Sequence, residues 1–120
     1  MFVKNYREVK AQPVVTEPGV TVYWLVSQLD EAPHFALRLY ELEPGARTAT
    51  NTHYWEREAF VVSGQGAAIG DEGTMPLNEG DIVYVPPGEQ HRFVNDGDRA
   101  LRFLMVLPMV HQNSARRTKR

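Results

Sequence analysis

Residues 80–95 read GDIVYVPPGEQHRFVN, and the order of residue types in this stretch decides the fold. Gly80 turns the chain into an apolar run, Ile82-Val83-Tyr84-Val85, whose β-branched and aromatic side chains suit a buried strand. Pro86 and Gly88 bring that run to a tight turn, one by its fixed φ and the other by its freedom to take a positive φ. The turn delivers His91 to the head of a second strand, where its side chain can point inward. Asn95 then closes that strand by bonding turn backbone.

The same reading extends to both sides. Val20, Val22, Trp24 and Val26 alternate with Thr21, Tyr23, Leu25 and Ser27, and Phe35–Leu42 continues the period of two up to the turn signal Glu43-Pro44-Gly45. Glu58–Ser63 is β-rich and stops at Gly64-Gln65-Gly66. Ala67–Gly70 and Met75–Leu77 flank a hairpin tip at Asp71-Glu72-Gly73. Asp81–Val85, His91–Val94 and Arg99–Leu107 complete the set, the last two separated by Asn95-Asp96-Gly97-Asp98. Short strands punctuated by Gly, Pro and Asp, with no sustained helical period, predict an all-β sandwich or barrel.

The spacing Gly80, Pro86, Gly88, His91, Asn95 resembles the second motif of the cupins, and a first motif should lie about thirty residues upstream. There Gly45 is followed by Asn51, Thr52, His53, then Tyr54-Trp55-Glu56-Arg57-Glu58 and Gly64. The spacing is kept, but Asn51 stands where the family has its first histidine. The resemblance runs from about Phe35 to Pro108. It is nearest to small single-domain cupins whose loop reads His-x-His-Pro-Trp-Glu-His-Glu, a four-histidine, manganese-type subgroup whose third histidine aligns with Arg57. It implies a single-domain double-stranded β-helix, the cupin or jelly-roll barrel, with a histidine-centred site for a divalent metal and a small organic ligand.

In that family two ligands come from one strand at i and i+2, here Asn51 and His53, and His91 is the fourth. The third position is open between two readings. Glu58 would give His53, Glu58 and His91, a two-histidine, one-carboxylate set suited to Mn, Fe, Ni, Cu or Zn, with Asn51 assisting. Arg57 cannot coordinate; it would replace the metal's charge and hold an anion. Period-two parity from Asn51 and His53 favours Arg57, whereas a bulge at Tyr54-Trp55 would favour Glu58. Arg38 offers a second cation to the cavity, and Phe93, Phe103 and Met105 serve as core or pocket wall. The first set points to an enzyme, an oxygenase or isomerase of a small organic acid. The second points to a metal-free anion-binding module without catalysis.

Composition bounds what remains. With 120 residues, 42% hydrophobic and 23% charged, the chain has room for one core that buries roughly two-thirds of the unfolded surface. No cysteine is present, so neither disulfides nor thiolate metal sites arise. No secretory signal and no run long enough to span a bilayer are visible, which leaves a cytoplasmic expectation without membrane contact. Four of the 13 basic residues (Arg116, Arg117, Lys119, Arg120) lie in the last five positions, leaving nine against 15 acidic residues and a net of −6 before them. An acidic body disfavours nucleic acid, and a regulatory partner would have to use that tail. The expected organisation is an arm at 1–12, the barrel at 13–110 and a disordered basic tail at 111–120. A homodimer is expected, with the arm (Val3, Tyr6, Val9) and both apolar faces of Val20–Ser27 supplying a strand-exchange interface.

Overall fold

Turn residues set the strand ends. In the computed structural model, which describes residues 1–109, both motif glycines take the left-handed region, Gly80 at φ 89° and Gly88 at φ 85°. A side chain at either position would be strained, so each strand next to them starts or stops there. Nine strands result: β1 (Ala11–Pro13), β2 (Val20–Val26), β3 (Phe35–Leu42), β4 (Arg57–Ser63), β5 (Gly66–Gly70), β6 (Gly73–Leu77), β7 (Ile82–Val85), β8 (Arg92–Val94) and β9 (Leu101–Pro108). Among the described residues, two short 3-10 turns, Tyr6–Glu8 and Gln28–Asp30, are the helical content. The basic tail at 111–120 and His111 lie outside the described residues.

The strands form two antiparallel sheets, one of six in the order β1-β2-β3-β9-β4-β7 and one of three in the order β6-β5-β8. Residues 45–51 run beside β8 as an irregular extra strand. They are tied by backbone bonds from Gly45 to Asn95, Asn95 to Ala46, Thr48 to Phe93, and in both directions between Asn51 and His91, all 2.9 Å. The two motifs are thus stitched together along their length. The architecture is the all-β jelly-roll read from the sequence.

The inner face of the large sheet carries Ala36, Leu42, Ala59, Val61, Leu101, Phe103 and Met105, and these meet Leu77 and Phe93 from the small sheet. Phe103, Leu42, Leu101, Val61 and Val20 are almost wholly buried, and each contributes roughly 1.5–3 kcal/mol of burial. Asn95 is fully buried as well. Its amide donates to the carbonyls of Leu42 and Arg99, both at 2.8 Å, and its Oδ1 accepts from Gly97 N at 2.9 Å. It fixes the β8–β9 turn to the end of β3.

One boundary differs from the sequence reading. Ala11 and Gln12, placed in the arm, belong to β1, which pairs with β2 of the same chain (Ala11↔Tyr23, Gln12↔Val22). Tyr6 packs edge-on against Tyr23 at 5.6 Å, with Arg102 over its ring.

Candidate functional site

Core side chains fill one end of the space between the sheets, and the other end stays open as a cavity of about 310 Å³. That volume lies within the range of small-molecule sites. Its floor is Phe93, Phe103 and Met105, all buried; Val22 and Trp24 of β2 form a wall, and Gln12, Val14 and Glu17 stand at the mouth. The polar groups come from three places. Arg38 and Tyr40 project from the inner face of β3, Arg57 from the first position of β4, and Asn51 and His91 from the stitched loop and the head of β8.

His53 and His91 face one another, ring centroids 5.9 Å apart. His53 is stacked on Trp55 at 5.2 Å, and its carbonyl accepts from Gly88 N at 2.7 Å, so the Pro86-Pro87-Gly88 turn holds it in place. His91 Nδ1 lies 3.0 Å from the carbonyl oxygen of Glu89. A carbonyl only accepts, so Nδ1 carries a hydrogen, and Nε2 is the ring atom left to face the cavity as an acceptor in the neutral form of the imidazole. Nε2 of His53 is buried with no protein partner. Burial, then the charge of Arg57, then His91 and Arg38, push the His53 pKa down to about 4, so this imidazole is neutral at pH 7.

Arg57 is buried and lines the cavity. β4 turns Arg57, Ala59 and Val61 inward and Glu58, Phe60 and Val62 outward. Glu58 is therefore corrected from ligand to outer-face residue. It pairs across the sheet with Tyr84 and Val106, both exposed, and shares a hydrogen bond with Glu56 that raises its carboxyl pKa. Asn51 lines the cavity but spends its amide donor on the carbonyl of Ala49, 3.1 Å away. Among the described residues no three of His, Cys, Asp or Glu come together closely enough to hold a metal ion. Two imidazoles and a neutral amide, with no carboxylate among them and the buried charge of Arg57 alongside, do not fit a divalent cation.

The arginines are arranged around Tyr40. Arg38 Nη1 donates to the Tyr40 hydroxyl at 3.2 Å, and its guanidinium lies 3.9 Å over the Trp24 ring. Burial and Arg38 work against the charge of Arg57, while the nearby Tyr40 hydroxyl favours that charge. Nε of both arginines is buried without a partner, and neither makes an ion pair among the described residues. Sequence reasoning passed over Tyr40, although it shares the β3 face with Arg38 two residues away. It also missed the mouth residues from β1 and the turn after it, a stretch that carries no period. His34 lies on the exposed surface.

Comparison with known proteins places this geometry. Residues 38–107 match the Cupin_2 family, the cupin domain. The polyketide cyclase RemF from Streptomyces resistomycificus has a similar structure, with a TM-score of 0.85 and 31% identity over 91% of this chain and 80% of that one. The oxalate-binding protein of Thermotoga maritima is 31% identical over 84 residues, 67% of this chain and 69% of its own length. A cupin 2 conserved barrel domain protein from Rhodopseudomonas palustris shares the fold at a TM-score of 0.76 and 22% identity, covering 83% of this chain and 71% of that one. Matched over more than half its length, with both motif histidines inside the barrel, the chain belongs to the Cupin_2 family.

Proposed function

We propose that this cupin binds a small organic carboxylate inside its barrel on Arg57 and Arg38, with His53 and His91 beside it and no resident metal. Arg57 carries the reading. It is buried next to the two imidazoles at the position where the resembled subgroup has a metal-binding histidine, and its Nε has no partner. Burying a cation without an anion is costly, and a ligand carboxylate supplies the missing charge with a bidentate fit to guanidinium. The similarity to a protein named for binding oxalate is in line with an anionic ligand. Isomerisation of the bound acid is the reaction class for which the site has groups, because His91 Nε2 is placed as a proton acceptor. A homodimer with one ligand in each barrel completes the reading.

Two measurements test it. Elemental analysis of protein purified without chelators should find far less than one metal per chain. Citrate or another carboxylate at a hundredfold excess over Kd should raise the melting temperature by about 10 °C, and not in Arg57→Met. Stoichiometric metal that disappears in His91→Ala would overturn the proposal.

A further inference from the structure

Alternate residues of β3 point inward, and what they meet changes along the strand. Leu42 packs in the closed core, Tyr40 and Arg38 line the first cavity, and Ala36, the smallest of the four, lines a second cavity of about 280 Å³. Strand β2 makes room for it. Its pairing with β3 slips by one residue between Trp24 and Val26, a bulge that bends the strand. Ser27 then turns the chain aside: its Oγ accepts from Leu29 N at 3.2 Å, and its own N–H donates to Asp30 Oδ2 at 2.9 Å. The space left beside Ala36 is bounded by Ser27, Leu29 and Met109.

The two cavities meet. Gln12, Trp24 and Arg38 line both, and at this junction the Arg38 guanidinium lies 3.9 Å over the Trp24 ring. Charge is divided unevenly across it. Arg57 and His91 belong to the first cavity, whereas beyond Arg38 no charged side chain among the described residues lines the second. A molecule that fills both is therefore ionic at one end and apolar at the other. We propose that the second cavity holds the apolar body of the same ligand whose carboxylate sits on Arg57 and Arg38, so that the preferred ligand is an arylalkanoic acid. This rests on the carboxylate site argued above. Arg38 and Ala36 are two residues apart on one strand face, about 7 Å. A ring carried two carbons from the carboxylate spans that reach with few bonds to freeze, and the Trp24 indole at the junction offers it an aromatic partner. An acid as short as propionate ends at the junction and leaves the second cavity to water.

Propionate and 3-phenylpropionate form a matched pair of probes, differing by the ring alone. Chemical-shift titration of the full chain is expected to give 3-phenylpropionate a Kd about thirtyfold below that of propionate. Its ring current should move the methyl signals of Ala36 and Met109, which propionate leaves in place. Ala36→Met fills the second cavity from β3, and Met109→Trp fills it from the residue after β9; melting temperatures check both folds. Each variant should bind propionate as the wild type does and bind 3-phenylpropionate little better. Equal Kd values for the two acids on the wild type, methyl signals of Ala36 and Met109 that stay in place, or a preference that survives in both variants overturns this inference and leaves the carboxylate site standing. Binding of neither acid overturns both.

Discussion

Arg57 enters a place where the cupin resemblance aligns a histidine, and the charge it carries is felt by His53 before any ligand arrives. After burial, Arg57 is the largest cause of the depressed His53 pKa. In Arg57→Met the stem keeps its packing and the charge goes. The His53 resonances should then titrate at a higher pH than in the wild type, though still below 6.5 because burial remains, affinity for carboxylates should fall about tenfold to a hundredfold, and stability should hold or rise by about 1 kcal/mol. Loss of binding without loss of stability separates a ligand-binding arginine from a structural one. The same imidazole sets a pH dependence. Its pKa is 6.5 when unperturbed and about 4 in the fold. Between those values the unfolded chain takes up a proton that the folded chain refuses, so its contribution to stability is full above pH 6.5 and is lost as pH falls towards 4. The cavity is open to water, which screens the effect to about 1 kcal/mol. Urea midpoints at pH 7.5 and pH 4.5 should therefore differ more in the wild type than in His53→Gln.

Strands and turns were legible to the degree that their pattern was one-sided. Phe35–Leu42 was read with both of its ends because Glu43-Pro44-Gly45 stops it, and the stretch from Gly80 to Asn95 fixed β7, the turn and β8. β1 was not legible: Ala-Gln-Pro has no period and all three residues are exposed, so its strand state comes only from pairing with Thr21–Tyr23. The third site position was ambiguous for a different reason. Parity carried from Asn51 and His53 has no force at Arg57, because residue 51 is bridged to His91 beside the small sheet whereas Arg57 opens β4 in the large one. The pattern of β4 does not reveal its inner face either, since Phe60 and Val62 on the outside are as apolar as Ala59 and Val61 on the inside. Asn95 shows what the motif contributes to stability. Asn95→Ala strands the carbonyls of Leu42 and Arg99 and frees Gly97 N, and should cost about 2–4 kcal/mol by urea denaturation. Asn95→Asp should be no better, because a carboxylate cannot donate to those carbonyls.

At the scale of the whole molecule, the outer face of the large sheet is the unexplained surface. Cross-strand register aligns Ile82, Phe60, Leu104 and Leu39 in one row, and Tyr84, Glu58, Val106 and Leu37 in the next. Leu39 is buried, towards the side where Tyr6 packs on Tyr23. Ile82, Tyr84 and Phe60 are 79%, 56% and 47% exposed. With Val62, Val106 and Phe35 they present roughly 500–600 Å² of apolar side chain, at the upper end of what monomers show. A stable two-fold interface needs about 800 Å² per partner, which this patch and its polar rim supply. A second copy of the same face is the occupant we expect there, which makes this face, and not the N-terminal arm, the predicted site of self-association. Light scattering at micromolar concentration should give about twice 13.6 kDa for the wild type. The double variant Phe60→Lys, Ile82→Glu should be a monomer with unchanged far-UV circular dichroism, since both side chains point away from the core. Removing residues 1–10 should leave the dimer intact. A monomeric wild type, or a dimer lost with the arm but retained in the double variant, would show that this face is not where two copies meet.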